Sequence, residues 1–192
     1  ATVHGLERAG SEPRLKELFQ RAYRGDAVVF PRNNTEKCAN AITAAPTRGE
    51  AVASAQRVIS ELVFRLEPAN AETADFLADD AQPDAFSLNS SRNREALARM
   101  GEGTPRRGLR QYRTLPETQA ETDTDWNYRT LSRTIKILAQ LTGLRPAAGS
   151  GEEAAHGSLF WHSILKGGLQ GGLFYLDTVD RGESWWGAIS RK

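Results

Sequence analysis

The chain has 192 residues, which is long enough for one domain with a substantial core and short for two. Its formal net charge of +1 argues against bulk electrostatic attraction to nucleic acid or to an anionic membrane, so either kind of binding would need a local patch. Cys38 is the only cysteine, which excludes an internal disulfide and a cysteine-based zinc site.

The first 46 residues predict a short arm followed by helices. Residues 1–10 are polar, and they lack the basic start and apolar centre of a signal peptide, so we expect a cytoplasmic protein or one within an assembled particle. One helix is predicted from its cap at Ser11 to its end at Gly25 and another over 35–42, and the apolar run 27–30 between them is either a brief strand or a buried connection. The face predicted for the first helix consists of Leu15, Leu18, Phe19 and Ala22.

A stronger helix is predicted from 47 to 66, because Thr47 and Glu50 fit a capping box in which each side chain binds a backbone amide of the other residue. Weaker helices are predicted over 71–78 and 91–101. The apolar stripe of the 47–66 helix consists of Val52, Ala55, Ile59, Leu62 and Leu66. Its solvent-facing stripe consists of Glu50, Ser54, Arg57, Glu61 and Arg65.

The clearest helical pattern in the chain runs from Thr124 to Gly143. Tyr128, Leu131, Ile135 and Leu138 recur at steps of three and four, which is the spacing of one buried face, and the opposite face is basic. Thr124 or Asp125 is predicted to cap its start, and Gly143 stands where a helix usually ends.

The C-terminal segment differs in character from the rest. Residues 158–165 are apolar and aromatic, residues 167–172 are rich in glycine, and residues 173–189 predict a β-hairpin that turns at Arg181 and Gly182. His162, Lys166 and the glycines interrupt the apolar run, which makes it too short to span a membrane.

These patterns together predict a mainly α fold, a single-domain helical bundle of five to seven helices with a small C-terminal β-hairpin. Its parts are an N-terminal arm (1–10), a helical domain (11–145) with an arginine-rich loop at 101–123, and a C-terminal part (146–192). That last part combines a linker with the aromatic and glycine-rich segment, which packs on the same domain or on a neighbouring copy.

The arginine-rich loop is the first candidate functional feature. Guanidinium groups bind phosphates in a bidentate manner and an aromatic ring stacks on bases, so this loop predicts contact with single-stranded nucleic acid. Pairing with the acidic stretches of the chain, contact with another protein and a solvated loop are the alternatives. The residues predicted to bind nucleic acid are Arg106, Arg107, Arg110, Tyr112 and Arg113.

The C-terminal aromatic side chains are the second feature. Trp161, Trp185 and Trp186 predict a subunit interface, because aromatic residues often anchor interfaces, or else ordinary core. An interfacial membrane helix is the less favoured alternative.

The search for an active site finds isolated candidates and no constellation, and no catalytic residue, metal or cofactor is predicted. Glu153 and His156 have the spacing of a carboxylate-bridged metal pair, but that chemistry needs the motif twice and two further glutamates. Cys38 could be a nucleophile with a distant histidine such as His162, although a lone cysteine among alanines is more often a small buried apolar residue.

The sequence therefore predicts a non-enzymatic, self-assembling structural protein of the coat or nucleocapsid type. Its expected partners are other copies of itself, as a homo-oligomer, and single-stranded nucleic acid, without membrane contact. One alternative is an enzyme or secreted effector whose site is dispersed in sequence. Another is a helical adaptor for a protein partner.

Overall fold

The computed structural model describes residues 2–28, 33, 35–79, 81, 83–86, 114–115, 123–146 and 158–182. The chain forms two compact units, Ala1–Glu67 (unit 1) and Pro68–Lys192 (unit 2).

Unit 1 combines two short antiparallel sheets with two helices. Its elements are β1 (Thr2–His4), α1 (Leu6–Gly10), β2 (Leu15–Gln20), β3 (Ala39–Thr43), α2 (Arg48–Glu61) and β4 (Val63–Arg65). β1 pairs with β4, and β2 pairs with β3. The 1–10 segment thus forms β1 and α1.

The core of unit 1 lies where α1 and α2 meet β2 and β3. Ala9, Val58 and Leu62 are buried at its centre, and partly buried apolar residues from both strands pack against them. Gly5 joins β1 to α1 with a φ of 81°, and a Cβ there would lie 1.9 Å from the carbonyl oxygen of Glu61. The chain therefore approaches α2 too closely at this position for any larger residue.

The helix predicted from Ser11 to Gly25 was wrong, because its centre forms β2. Leu15 and Leu18 are three residues apart, which is a helical spacing, yet both pack on the core. The register shifts between Leu15 and Glu17, and a bulge of this kind puts an extra residue in the strand. That residue brings both leucines to one face, so a bulged strand has the same apolar spacing as a helix.

The helix predicted over 35–42 was also wrong, since β3 occupies its second half. Ala39 and Ala41 pack on the core while Ile42 is exposed, which is the alternation of a strand. Small residues pack in either kind of element, so the pattern alone did not distinguish them.

The predicted capping box at the start of α2 is confirmed. The Thr47 hydroxyl accepts the Glu50 amide at 3.2 Å, and the Glu50 carboxylate accepts the Thr47 amide at 3.3 Å. The buried face was predicted correctly at Leu62, which is buried, and incorrectly elsewhere: Val52 is exposed, and Ser54 and Val58 are buried. The helix ends at Glu61, earlier than predicted, because the next residues pair with β1 as β4.

Unit 2 is mostly helical among its described residues. Its elements are α3 (Ala71–Ala78), β5 (Thr114–Leu115), α4 (Leu131–Thr142), β6 (Arg145–Pro146) and α5 (Ser158–Asp180), with β5 and β6 pairing in parallel. The prediction of α3 is confirmed. The helix predicted over 91–101 lies outside the described residues.

The prediction of α4 was correct at its end and wrong at its start. Gly143 caps the C-terminus in the left-handed conformation, while the N-cap is Thr130, whose side chain accepts the Arg133 amide. Residues 124–130 form a loop in which the Asp125 amide donates to the Arg129 carbonyl oxygen, the Arg129 amide donates to the Asp125 carboxylate, and Thr124 bridges Thr130. That loop leaves Tyr128 exposed, with a φ of 59°.

The β-hairpin predicted over 173–189 was wrong, because residues 173–180 belong to α5; residues 183–192 lie outside the described residues. α5 has a break at Gly168 (φ 57°, ψ −141°), and its two arms pack on each other. The rings of Phe160 and Tyr175, fifteen positions apart, lie 5.4 Å centroid to centroid, which a continuous helix does not allow. The chain therefore reverses at Gly168 as a helical hairpin.

The prediction of a single helical bundle with a C-terminal β-hairpin was wrong for these reasons. The described part of the chain contains five helices and two antiparallel two-stranded sheets near the N-terminus, so the fold mixes α and β structure. No helix among the described residues is long and apolar enough to cross a membrane.

Candidate functional site

A cleft in unit 1 lies between the end of α1, the turn that follows it and the last turns of α2. Its volume is about 330 Å³, and it is open to solvent on one side. Ala9 and Val58, which belong to the core, lie in its wall. Four charged side chains also line it: Arg8, Glu12, Arg57 and Glu61.

Glu12 and Arg57 form the more extensively bonded pair of the cleft. Arg57 donates from Nε to Glu12 Oε2 at 2.8 Å and from Nη2 to Oε1 at 3.0 Å, which is the bidentate geometry of a guanidinium on a carboxylate. The hydroxyl of Ser54, which is buried, donates to Glu12 Oε1 at 2.8 Å. These bonds from Arg57 and then from Ser54 lower the pKa of Glu12 to about 2. Glu12 is therefore ionised near neutral pH and is unsuited to proton transfer there.

Arg8 and Glu61 form the second pair. Arg8 Nε donates to Glu61 Oε2 at 2.9 Å, and the side chains are 53% and 23% exposed. Arg57 and Glu61 stand four residues apart on α2, so the two pairs are neighbours. In one pair α2 supplies the positive side chain, and in the other it supplies the negative one. The charges around the cleft alternate as a result, and such an arrangement can bind groups of either sign.

Sequence reasoning did not identify this cleft. Arg8 was assigned to the arm, and Arg57 and Glu61 to a solvent-facing stripe of a helix. Ser54 was assigned to the same stripe but is buried against Glu12. Glu12 and Arg57 are 45 positions apart, and no local pattern indicates such a pairing. One local signal was available: Ser54 stands four residues before Val58 and eight before Leu62, so it lies on the same face of the helix as these apolar residues. That spacing indicates that Ser54 is buried.

Most of the residues that the sequence predicted to be functional lie outside the described residues. These are Arg106, Arg107, Arg110, Tyr112, Arg113, Glu153, His156, Trp185 and Trp186. Trp161 is described, and it is only 1% exposed, with its ring nearly perpendicular to that of Phe160 in the same unit. Its side chain therefore belongs to the core of its own unit.

Cys38 and His162 lie in different units. Burial raises the pKa of the Cys38 thiol, which decreases the thiolate fraction that a nucleophile needs. His162 Nε2 lies 3.2 Å from the carbonyl oxygen of Leu77 and ties α5 to α3. Among the described residues, no group of three histidine, cysteine, aspartate or glutamate side chains could hold a metal ion.

Unit 2 contains a separate set of buried charges near the reversal of α5. Asp125 Oδ1 accepts the amides of Asn127 and Arg129 at 2.8 and 2.9 Å, and burial raises the pKa of this carboxyl. Its Oδ2 lies 3.7 Å from Arg129 Nη1. Lys166 is buried, with Nζ 3.3 Å from Asp84 Oδ1 and 5.8 Å from the Phe76 ring centroid. These contacts close the 124–130 loop and hold the residues before Gly168, which is a structural role.

Comparison with known proteins gives one similarity. A family model described as L-amino acid ligase C-terminal domain 2 matches residues 1–67 of the 192 in the chain. No curated protein and no solved structure matches the chain. The matched family is a domain of an enzyme, and this finding overturns the prediction of a non-enzymatic, self-assembling coat protein that binds RNA. That prediction depended in part on the arginine-rich loop at 101–123, which lies outside the matched segment.

Proposed function

We propose that unit 1 serves as the C-terminal domain 2 of an enzyme related to the ATP-grasp amino acid ligases. One observation carries the proposal: the matched residues, 1–67, coincide with the compact unit Ala1–Glu67. A similarity that begins and ends with a folded unit corresponds to a whole domain, since domains have their own cores.

The chemistry of unit 1 supports a binding role within such an enzyme. Joining two amino acids in water requires an activated carboxylate, which ATP supplies in a ligase. The described residues of unit 1 offer no group of metal ligands, and the cleft carboxylates are held by arginines. Unit 1 therefore contributes a charged surface for small molecules with both signs of charge, and no step of the activation is assigned to it.

The proposal is tested by transferring the chain to a ligase. The intact 192-residue chain is fused to an L-amino acid ligase from which C-terminal domain 2 has been removed. We expect the fusion to form dipeptide at least about tenfold faster than the truncated enzyme, because a domain that restores the active arrangement lowers the barrier by about 1.4 kcal/mol or more. Phosphate release and mass spectrometry of the dipeptide measure the rate.

A matched control separates the fold of unit 1 from the mere presence of added chain. Val58 is fully buried, so Val58→Asp places a charge in the core and unfolds unit 1. The fusion with this substitution should be no faster than the truncated ligase. The proposal is contradicted if the wild-type fusion forms dipeptide no faster than the truncated ligase although its amide NMR signals show that it is folded.

A further inference from the structure

The two ion pairs of the cleft differ in how many hydrogen-bonding groups they use. The Glu12 carboxylate accepts from Arg57 on both oxygens and also from Ser54. Arg57 uses Nε and Nη2 for these bonds, so one whole edge of its guanidinium is occupied. Glu12 is also the less exposed acid, with 12% of its side chain accessible. This pair fixes the turn after α1 against α2, and both oxygens of its carboxylate already accept hydrogen bonds.

Arg8 is bonded differently. Its hydrogen bond to Glu61 uses Nε, and within the described part of the chain its two terminal nitrogens, Nη1 and Nη2, make no hydrogen bond to another residue. A guanidinium binds carboxylates along two edges, one with Nε and one Nη, the other with both Nη atoms. The second edge of Arg8 can therefore donate to another carboxylate while the bond to Glu61 remains. More than half of the Arg8 side chain is exposed, so a ligand can reach it.

The surroundings of Arg8 favour a ligand that also carries a positive charge. Arg8 and Arg57 balance Glu12 and Glu61 in the cleft, so a ligand anion alone would leave an excess of negative charge, whereas a ligand with one charge of each sign keeps the balance. A cleft of about 330 Å³ lies within the lower part of the range for small-molecule sites. A small zwitterion satisfies both conditions.

We propose that this cleft binds the zwitterion of a free amino acid or dipeptide. The ligand carboxylate lies on the Nη1 and Nη2 edge of Arg8, and the ligand ammonium lies beside Glu61. The choice of amino acids within the class of zwitterions rests on the proposed ligase function, whereas the charge pattern is independent of it.

The test is an amide NMR titration of the intact chain with L-alanyl-L-alanine. We expect shifts at residues 6–12 and 57–61 and a dissociation constant on the order of 1 mM, because one exposed guanidinium and one carboxylate give modest affinity. The same peptide with an acetylated amine and an amidated carboxyl should bind at least about tenfold more weakly, since it lacks both charges.

Arg8→Gln should weaken binding of the uncapped peptide by about tenfold or more, because glutamine has no guanidinium edge. Arg14→Gln is the matched control: Arg14 also pairs with a glutamate, Nη2 to Glu50 Oε1 at 2.9 Å, but it does not line the cleft. That variant should bind as the wild type does. Both replaced side chains are partly exposed, so the variants should keep the wild-type spectrum elsewhere.

Three results would overturn the inference: no shifts at about 20 mM peptide, equal binding of the capped peptide, or unchanged binding in Arg8→Gln. They leave the proposed function standing, because the fused ligase can be restored by a domain that binds no amino acid. Conversely, a fusion without activity together with Arg8-dependent binding would refute the ligase role and keep the zwitterion site.

Discussion

At the scale of single residues, the charges of unit 1 divide into groups with different surroundings. Glu12 accepts three side-chain hydrogen bonds, and they hold its pKa near 2 instead of the ordinary 4.5. Arg57 bonds back to the same carboxylate, which raises the pKa of the guanidinium. Hydrogen bonds to the charged form favour that form, so the pair stays ionised across the physiological range.

The pKa of Glu12 gives the first prediction. Arg57→Gln removes the largest cause of its lowering, so the pKa of Glu12 should rise toward 4.5. A titration of its carboxyl carbon by NMR measures the change. Arg24→Gln replaces an exposed arginine in another turn and should leave that pKa near 2. A pKa that stays near 2 in Arg57→Gln would show that Arg57 is not its cause.

The same shift predicts a dependence of stability on pH. The pKa is lowered in the folded state, so the ionised carboxylate stabilises the fold above about 4.5, and this contribution is lost as the pH falls toward about 2. Glu12→Gln should therefore flatten the fall in stability of unit 1 over this acidic range. Hydrogen exchange of the α2 amides at several pH values measures it. An unchanged slope would contradict the prediction.

At the scale of elements, the reversal of α5 depends on glycine. At Gly171 an added Cβ would lie 1.8 Å from the carbonyl oxygen of Ser163, which belongs to the other arm of the helix. At Gly172 it would lie 2.7 Å from a Leu138 methyl group. The arm after the break therefore packs closely on both the preceding arm and α4, and larger residues at these two positions would push it away.

Gly171→Ala should destabilise unit 2 by about 2–3 kcal/mol or more, because the clash is with backbone and cannot be relieved by a side-chain rotation. Urea unfolding followed by tryptophan fluorescence measures the change, since Trp161 is buried in the first arm. Gly49→Ala is the control. It stands in α2 of unit 1, where an added Cβ meets nothing within 4 Å, so the urea unfolding of unit 2 that Trp161 reports should stay as in the wild type. If Gly171→Ala were as stable as the wild type, the two arms of α5 would have to lie farther apart than the structure places them.

At the scale of the whole molecule, residue 67 is a boundary in two respects. The family similarity ends there, and so does the first compact unit. Among the described residues of unit 1, each strand pairs with a strand of the same unit, and the core cluster lies within residues 6–64. A unit that satisfies its own strands and core has the means to fold alone.

We therefore expect residues 1–67, produced as a separate chain, to fold with a stability of roughly 3–5 kcal/mol, which is the modest value of small domains. Its amide NMR signals should be dispersed and should match those of the same residues in the intact chain. A collapsed spectrum would show that unit 1 needs the rest of the chain, and it would weaken the assignment of a domain to the matched segment.

Sequence reasoning was successful where the deciding interactions lie within one or two turns of the chain. The capping box of Thr47 and Glu50, the glycine cap at Gly143 and the short helix α3 are of this kind. Each depends on contacts between residues three to five apart, so the local order of residue types is sufficient to predict it.

Tertiary structure decided the remainder, because its contacts join distant residues. A bulge made β2 resemble a helix, and only its pairing with β3 places Leu15 and Leu18 on one face. The reversal at Gly168 depends on contacts between the two arms of α5, and four glycines in six positions were equally consistent with a loop. The cleft needs Glu12 beside Arg57 and Arg8 beside Glu61, 45 and 53 positions apart. Each of these charges alone has the sequence appearance of an ordinary surface residue, and only the packing of α1 against α2 brings the four together.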